Sequence, residues 1–181
     1  MSIEAQIKKA EDVPITDQDI LKITDKQVKI VLYHQLANLR TIMDLFIDTD
    51  KIILFYELVG EIGHWVALIH NPKTMTIVFY NSYGLLPDAE RSLYKHPEAT
   101  LSKLLAFRPS SYKLDINRVQ HQIYKNHVNT CGRHAALRCL YSDLSNADYD
   151  KMVKIPIRLN SVDELVSVMT MVPLKYTIPK E

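Results

Sequence analysis

Apolar residues along this chain recur with two different periods, and the two periods divide it into strands and helices. Four short runs are rich in β-branched and aromatic residues and too short for helices: Val28 to Leu32, Ile52 to Leu58, Gly63 to His70 and Met75 to Asn81. They read as strands. Asn71-Pro72-Lys73-Thr74 separates the last two and has the composition of a turn, so those two strands form a hairpin. A further run, Ile116 to Tyr124, reads as another strand with Gln120 and Gln122 on one face.

Helical spacing marks the rest. Leu36, Leu39, Ile42, Met43 and Phe46 predict an amphipathic helix over residues 35–46. Shorter helices are expected from Glu90 to Tyr94 and from Ala99 to Phe107, and one through Ile20 and Leu21 capped by Thr16 or Asp17. Asn129 is expected to cap a helix that carries Cys131, Ala135, Ala136 and Leu137. Ser145-Asn146-Ala147-Asp148 resembles a capping box opening a helix to Val153. Val162, Leu165, Val166 and Met169 form the face of a last helix, capped by Asn160 or Ser161 and ended by Pro173. Residues 1–16 are polar and weakly patterned and are expected to form a loose arm.

Composition narrows the function classes. A chain of 181 residues is expected to form one domain with a real core. A formal net charge of +1 gives no electrostatic case for nucleic acid or a membrane surface. Cys131 and Cys139 lie about two turns apart on one helix, too far to bridge, so a reducing compartment is expected. The N-terminus has no secretory pattern, and no apolar run approaches the roughly 20 residues of a membrane span. No metal cluster or phosphate-cradling loop stands out, and no cofactor is expected.

The candidate chemistry centres on Cys131. A helix N-terminus presents unpaired N–H groups and favours a negative charge, so a lowered thiol pKa is expected there. A turn centred on Pro72-Lys73 would set His64 opposite Asn81, with Cβ atoms about 4.5–5.5 Å apart, unless a bulge moves the register. Asn81 could then orient the imidazole as the third member of a triad does. Gln122 or Gln120, with the Cys131 backbone N–H, would supply an oxyanion hole. His134 competes as the base, but three residues along the same helix it is expected to lack an orienting partner. Singly, each residue has an ordinary structural explanation. Together, in the order His, Asn, Gln, Cys, they point to nucleophilic attack on an amide carbonyl.

Gly63-His64-Trp65, Phe79-Tyr80-Asn81-Ser82-Tyr83-Gly84, Gln122 and Asn129-Thr130-Cys131-Gly132 resemble the adenain-like and SUMO-protease-like cysteine peptidases. The likeness is to the maturation proteases of adenoviruses, virophages and related large-DNA-virus elements, and it covers about residues 52–141. The resemblance implies an α+β fold of papain-like, adenain-like type. A central mixed β-sheet is flanked by helices, with the nucleophile at a helix N-terminus. It implies Cys131 as nucleophile, His64 as general base, Asn81 as its orienter and Gln122 as oxyanion donor. The family's third member is usually Asp or Glu, and Asn81 should support His64 protonation less. Implied substrates are viral capsid or other virion precursor proteins, met in the host cytoplasm, viral factory or virion. An activating peptide or DNA belongs to the family setting, although the charge here gives DNA no support. Two alternatives share the fold: a peptidase for ubiquitin-like modifiers and a non-enzymatic interaction protein.

Overall fold

The computed structural model describes residues 2–60, 62–155 and 159–171. Its centre is a five-stranded mixed sheet, four strands of it built by the apolar runs: β1 (Lys29–Leu32), β2 (Lys51–Val59), β3 (Ile62–Asn71), β4 (Thr76–Tyr80) and, outside those runs, β5 (Lys113–Ile116), in that spatial order. β2, β3 and β4 form an antiparallel meander, while β1 and β5 add to its two sides in parallel. Both faces of the central strands are covered, which is why these strands read as continuous apolar runs and not as alternations. On one face Leu54, Tyr56, Val66, Leu68 and Phe79 pack with Leu36, Ile42, Leu101 and Leu105. On the other, Ile53, Ala67, Ile69, Val78 and Tyr80 pack with Ala135, Ala136, Tyr149 and Leu165.

The helices are α1 (Ile3–Asp12), α2 (Asp17–Ile23), α3 (Ala89–Leu93), α4 (Thr100–Ala106), α5 (Cys131–Leu140), α6 (Asn146–Val153) and α7 (Val162–Met169). The architecture is α+β, a mixed sheet flanked by helices, as expected. Thr16 caps α2 with a full capping box, and Ser145 and Ser161 cap α6 and α7 through their hydroxyls. Pro173, expected to end α7, lies outside the described residues. Among the described residues, no helix is long and apolar enough to cross a membrane.

Three segments depart from the sequence expectation. Residues 35–46 do not form one amphipathic helix but two 3-10 helices, Tyr33–Asn38 and Ile42–Phe46. Leu39 and Thr41 between them are extended. The Asp44 carboxylate accepts from the N–H groups of Arg40 (2.8 Å) and Thr41 (2.9 Å), and this local bonding competes with an uninterrupted helical ladder. The apolar positions still reach the core.

The strand expected over 116–124 ends where it was to begin. β5 pairs with β4 only as far as Phe79↔Ile116. The Asn117 side chain then donates to the carbonyls of Asn81 (2.7 Å) and Val119 (2.9 Å) and accepts from the Val119 N–H, which turns the chain into a loop. That loop lies against Gly84, whose φ of +70° and lack of a side chain are both required. A Cβ there would sit 2.8 Å from the Val119 carbonyl carbon.

The N-terminal segment is no loose arm. Ser2 caps α1, and α1 packs on α7. Its sequence is weakly patterned because its backbone, more than its side chains, anchors it. The carbonyls of Ala10, Glu11 and Asp12 accept from Arg133 Nε (3.0 Å), Asn129 N–H (2.7 Å) and Asn129 Nδ2 (2.6 Å). Asn129 is thereby spent on α1, and Thr130, not Asn129, occupies the N-cap position of α5, without a side-chain capping bond.

Candidate active site

β3 and β4 pair from Asn71↔Thr76 to Ala67↔Tyr80 and then separate. The hairpin is therefore centred between Lys73 and Thr74, one residue beyond the expected Pro72-Lys73. The register moves by two positions, which keeps each side chain on its expected face. Asn81 lies beyond the last pair and is not a cross-strand partner of His64; from the turn after β4, the Tyr83 ring stacks on the imidazole with centroids 5.0 Å apart and planes 20° apart.

Asn81 still reaches His64, because the chain turns directly after β4. Asn81 Oδ1 accepts the Tyr83 backbone N–H at 2.9 Å and lies 3.2 Å from His64 Nε2. Asn81 Nδ2 donates to Glu90 Oε2 at 2.7 Å. A backbone N–H can only donate, so Oδ1 is fixed as an acceptor and His64 Nε2 must carry its proton. Nδ1 is then left with a free lone pair. Burial pushes the His64 pKa down to about 4, against the Asn81 bond, so the imidazole is neutral at pH 7.

Cys131 is the first residue of α5 and is partly exposed. The backbone N–H groups of Trp65, Gly132 and Cys131 itself lie near its thiol and favour the thiolate. Burial opposes them and prevails, so the pKa lies above the ordinary cysteine value. The expected depression at the helix start is thus overturned by desolvation. Cys131 and His64 line one cavity of about 660 Å³, together with Trp65, Tyr83, Glu90 and Gln122. Ile15 also lines it, pressed against the helix start so closely that a Cβ on Gly132 would meet Ile15 Cγ1 at 2.7 Å.

The two glutamines differ sharply. Gln122 is buried, with Oε1 accepting from Ser82 Oγ (2.7 Å) and Nε2 donating to the Val128 carbonyl (3.3 Å), which leaves one amide hydrogen uncommitted. Gln120 is exposed and its Nε2 donates to the Gln122 carbonyl (2.9 Å).

His134 has the partner it was expected to lack. Its Nε2 lies 2.9 Å from Asp163 Oδ1, and its Nδ1 is 3.3 Å from the Tyr80 hydroxyl. It is fully buried and faces the core beneath α5. Asp163 also accepts from Thr130 Oγ1 (2.5 Å) and from the Ile123 N–H (2.9 Å), which joins the residues flanking Cys131 and Gln122.

Two site neighbours escaped the sequence reading. Asp163 sits in the first turn of α7, where an acid is unremarkable. Glu90 lies on the short helix α3, and no periodicity ties it to Asn81. Among the described residues, no group of three or more His, Cys, Asp or Glu residues is placed to hold a metal ion.

No family model matches the chain. Among solved structures it is similar to the C-terminal Ulp1 protease domain in complex with Smt3, the yeast ortholog of SUMO. Identity is 16%, the TM-score is 0.45, and the match covers 94% of this chain and 80% of that one. It is also similar to ChlaDub1 from Chlamydia trachomatis, at 12% identity and a TM-score of 0.37 over 91% of this chain and 73% of that one. The uncharacterized protein V9 of Sputnik virophage is 32% identical over 175 residues, which span 91% of this chain and 98% of its own length. At that identity and coverage, the chain belongs to the family of Sputnik virophage protein V9.

Proposed function

We propose that this protein is a cysteine peptidase whose nucleophile is Cys131 and whose general base is His64. The observation that carries the proposal is the hydrogen bonding that orients His64. Asn81, locked by the Tyr83 N–H, holds the proton on Nε2 and leaves the Nδ1 lone pair free, in a cavity that also contains a thiol at a helix start. Both groups rest neutral. The thiol proton passes to Nδ1 as sulfur attacks the substrate carbonyl, so the ion pair forms inside the site with no net uptake of charge. The oxyanion is held by the Cys131 backbone N–H and the uncommitted Gln122 amide hydrogen. His64 then protonates the leaving amine, and water hydrolyses the thioester. Gln122 is preferred to Gln120 because it is buried and held at both ends of its amide.

The virophage relative supports a viral origin, and within that setting the finer reading is processing of capsid or other virion precursor proteins in the viral factory or virion. The test incubates purified wild-type and Cys131→Ala protein with a virophage capsid precursor, and in parallel with a fluorogenic ubiquitin-like C-terminal substrate. The expected result is precursor cleavage by the wild type alone. Cleavage by Cys131→Ala would remove Cys131 from the mechanism. Turnover of only the ubiquitin-like substrate would replace the capsid reading with a modifier peptidase. A folded wild type that turns over neither would favour an interaction protein.

A further inference from the structure

Behind Asn81 stands a carboxylate that the Cys–His–Asn–Gln mechanism leaves idle. Helix α3 packs on β2 and buries Glu90 against the site, at 5% exposure. Its two oxygens face two different members of the site. Oε2 accepts from Asn81 Nδ2 at 2.7 Å. Oε1 lies 3.2 Å from His64 Nε2 and is a buried oxygen without a hydrogen bond of its own. An unsatisfied buried carboxylate oxygen is costly, and a positive charge on the imidazole beside it would relieve that cost.

We propose that Glu90 is a positioning residue of this site: one oxygen anchors the Asn81 amide, and the other is the counter-charge that His64 meets when it becomes imidazolium. The proposal rests on the Cys131–His64 reading and deepens it. In the step, the thiol proton moves from Sγ to Nδ1, while the Nε2 proton stays on its nitrogen and Oε1 faces the positive charge from 3.2 Å. Glu90 neither gains nor loses a proton, provided that it starts ionised. Asn81 thus orients the ring, and Glu90 supplies the negative charge that Asn81 lacks.

The ionisation of Glu90 sets the condition. The groups facing it are His64 from β3, Tyr56 from β2, Tyr83 and Asn81 from the turn after β4, and Cys131 from α5. None is a fixed cation. Arg91, next to it on α3, turns away to the Glu57 carbonyl and Glu98. Burial therefore holds the Glu90 pKa up at about 7, against the Asn81 bond. Assistance to His64 should fade as the pH falls through that value.

The experiment alkylates Cys131 with iodoacetamide between roughly pH 5 and pH 9, read by intact mass, in wild type, His64→Ala, Glu90→Gln and Glu90→Asp. Circular dichroism checks the fold of each. In the wild type the thiol should react by passing its proton to His64, so alkylation should depend on His64 and show an acid limb near pH 7. Glu90→Gln should lower reactivity at neutral pH about 10- to 100-fold, the range expected for losing one charge-assisted hydrogen bond, and should abolish the limb. Glu90→Asp should restore part of it with the limb displaced. If Glu90→Gln does not fold, the Glu90→Asp limb decides, and an undisplaced limb overturns the proposal. A His64-dependent profile unchanged in Glu90→Gln overturns the role of Glu90 and leaves the peptidase reading standing. An ordinary thiol titration that His64→Ala does not alter sinks both.

Discussion

Asn81 is held by three partners, and they make a carboxylate the wrong residue at its position. Oδ1 faces two donors, the Tyr83 N–H and His64 Nε2, which an aspartate would satisfy equally well. Nδ2 donates to Glu90 Oε2, and an aspartate would set a second carboxylate oxygen 2.7 Å from it. Two carboxylates that close share a proton, so Asn81→Asp should raise the pKa of the pair. The folded protein would then bind a proton that the unfolded chain releases above about pH 4.5, and stability should fall as pH rises. Urea unfolding should show Asn81→Asp destabilised by about 1–3 kcal/mol at neutral pH and recovering toward pH 5. Equal loss at both pH values would mean that the Glu90 contact is not the cause. At this scale His64, Asn81, Cys131 and Gln122 were legible as candidates, because residue types in a fixed order carry chemical meaning. Glu90 was not, since its contact crosses from a five-residue helix to a strand end and leaves no spacing to read.

The start of α5 is set by elements far from it in sequence. Asp163 of α7 bonds Thr130, just before the helix, and the Ile123 N–H, just after Gln122, so one carboxylate fixes both candidate elements of the site. Burial works to raise the Asp163 pKa, but the bonds from His134, Thr130 and Ile123 outweigh it and the net shift is downward. Removing this charge strands His134, which is wholly buried. Asp163→Ala should therefore cost about 1–3 kcal/mol by chemical denaturation, as leaving buried donors without their acceptor does. A cost below about 1 kcal/mol would show the cluster to be incidental. Gly132→Ala tests the other side of the helix start. Alanine favours a helix, yet its Cβ would meet Ile15 Cγ1 at 2.7 Å and Trp65 Cδ1 at 3.1 Å. Crowding of that kind costs about 1–3 kcal/mol, so thermal unfolding should show a loss where propensity alone predicts a gain. The strands were legible because burial on both faces writes continuous apolar runs. The α1 segment was not, because it is tied down through main-chain carbonyls, which no side-chain pattern records.

Across the whole molecule, the shifted groups make opposing contributions to acid stability. His64 and His121 are held below the usual histidine value, in both cases first by burial. When the chain unfolds they return to about 6.5, so below that pH the unfolded state binds more protons and the fold loses stability as pH falls. Glu90 and Glu11 are held above the usual carboxylate value, again first by burial. Between about pH 4.5 and pH 7 the folded state keeps a proton on Glu90 that the unfolded chain releases, so the fold gains stability as pH falls through that window, and Glu11 acts in the same direction. The loss from His64 and the gain from Glu90 largely offset each other. The wild type should be nearly flat in stability from about pH 7 to about pH 4.5. Below about pH 4 the depressed carboxylates of Asp150 and Asp163 must be protonated, and stability should then drop steeply. Glu90→Gln removes the larger opposing contribution and unmasks the histidines. Its stability should decline from about pH 6.5 downward, by up to about 1.4 kcal/mol per pH unit for each uncompensated proton. Urea midpoints at about pH 7, 6 and 5 measure the slope in both proteins. A wild type that already slopes downward with acid, in parallel with Glu90→Gln, would mean that Glu90 is ionised throughout the window. In that case the acid limb of Cys131 reactivity must come from another group.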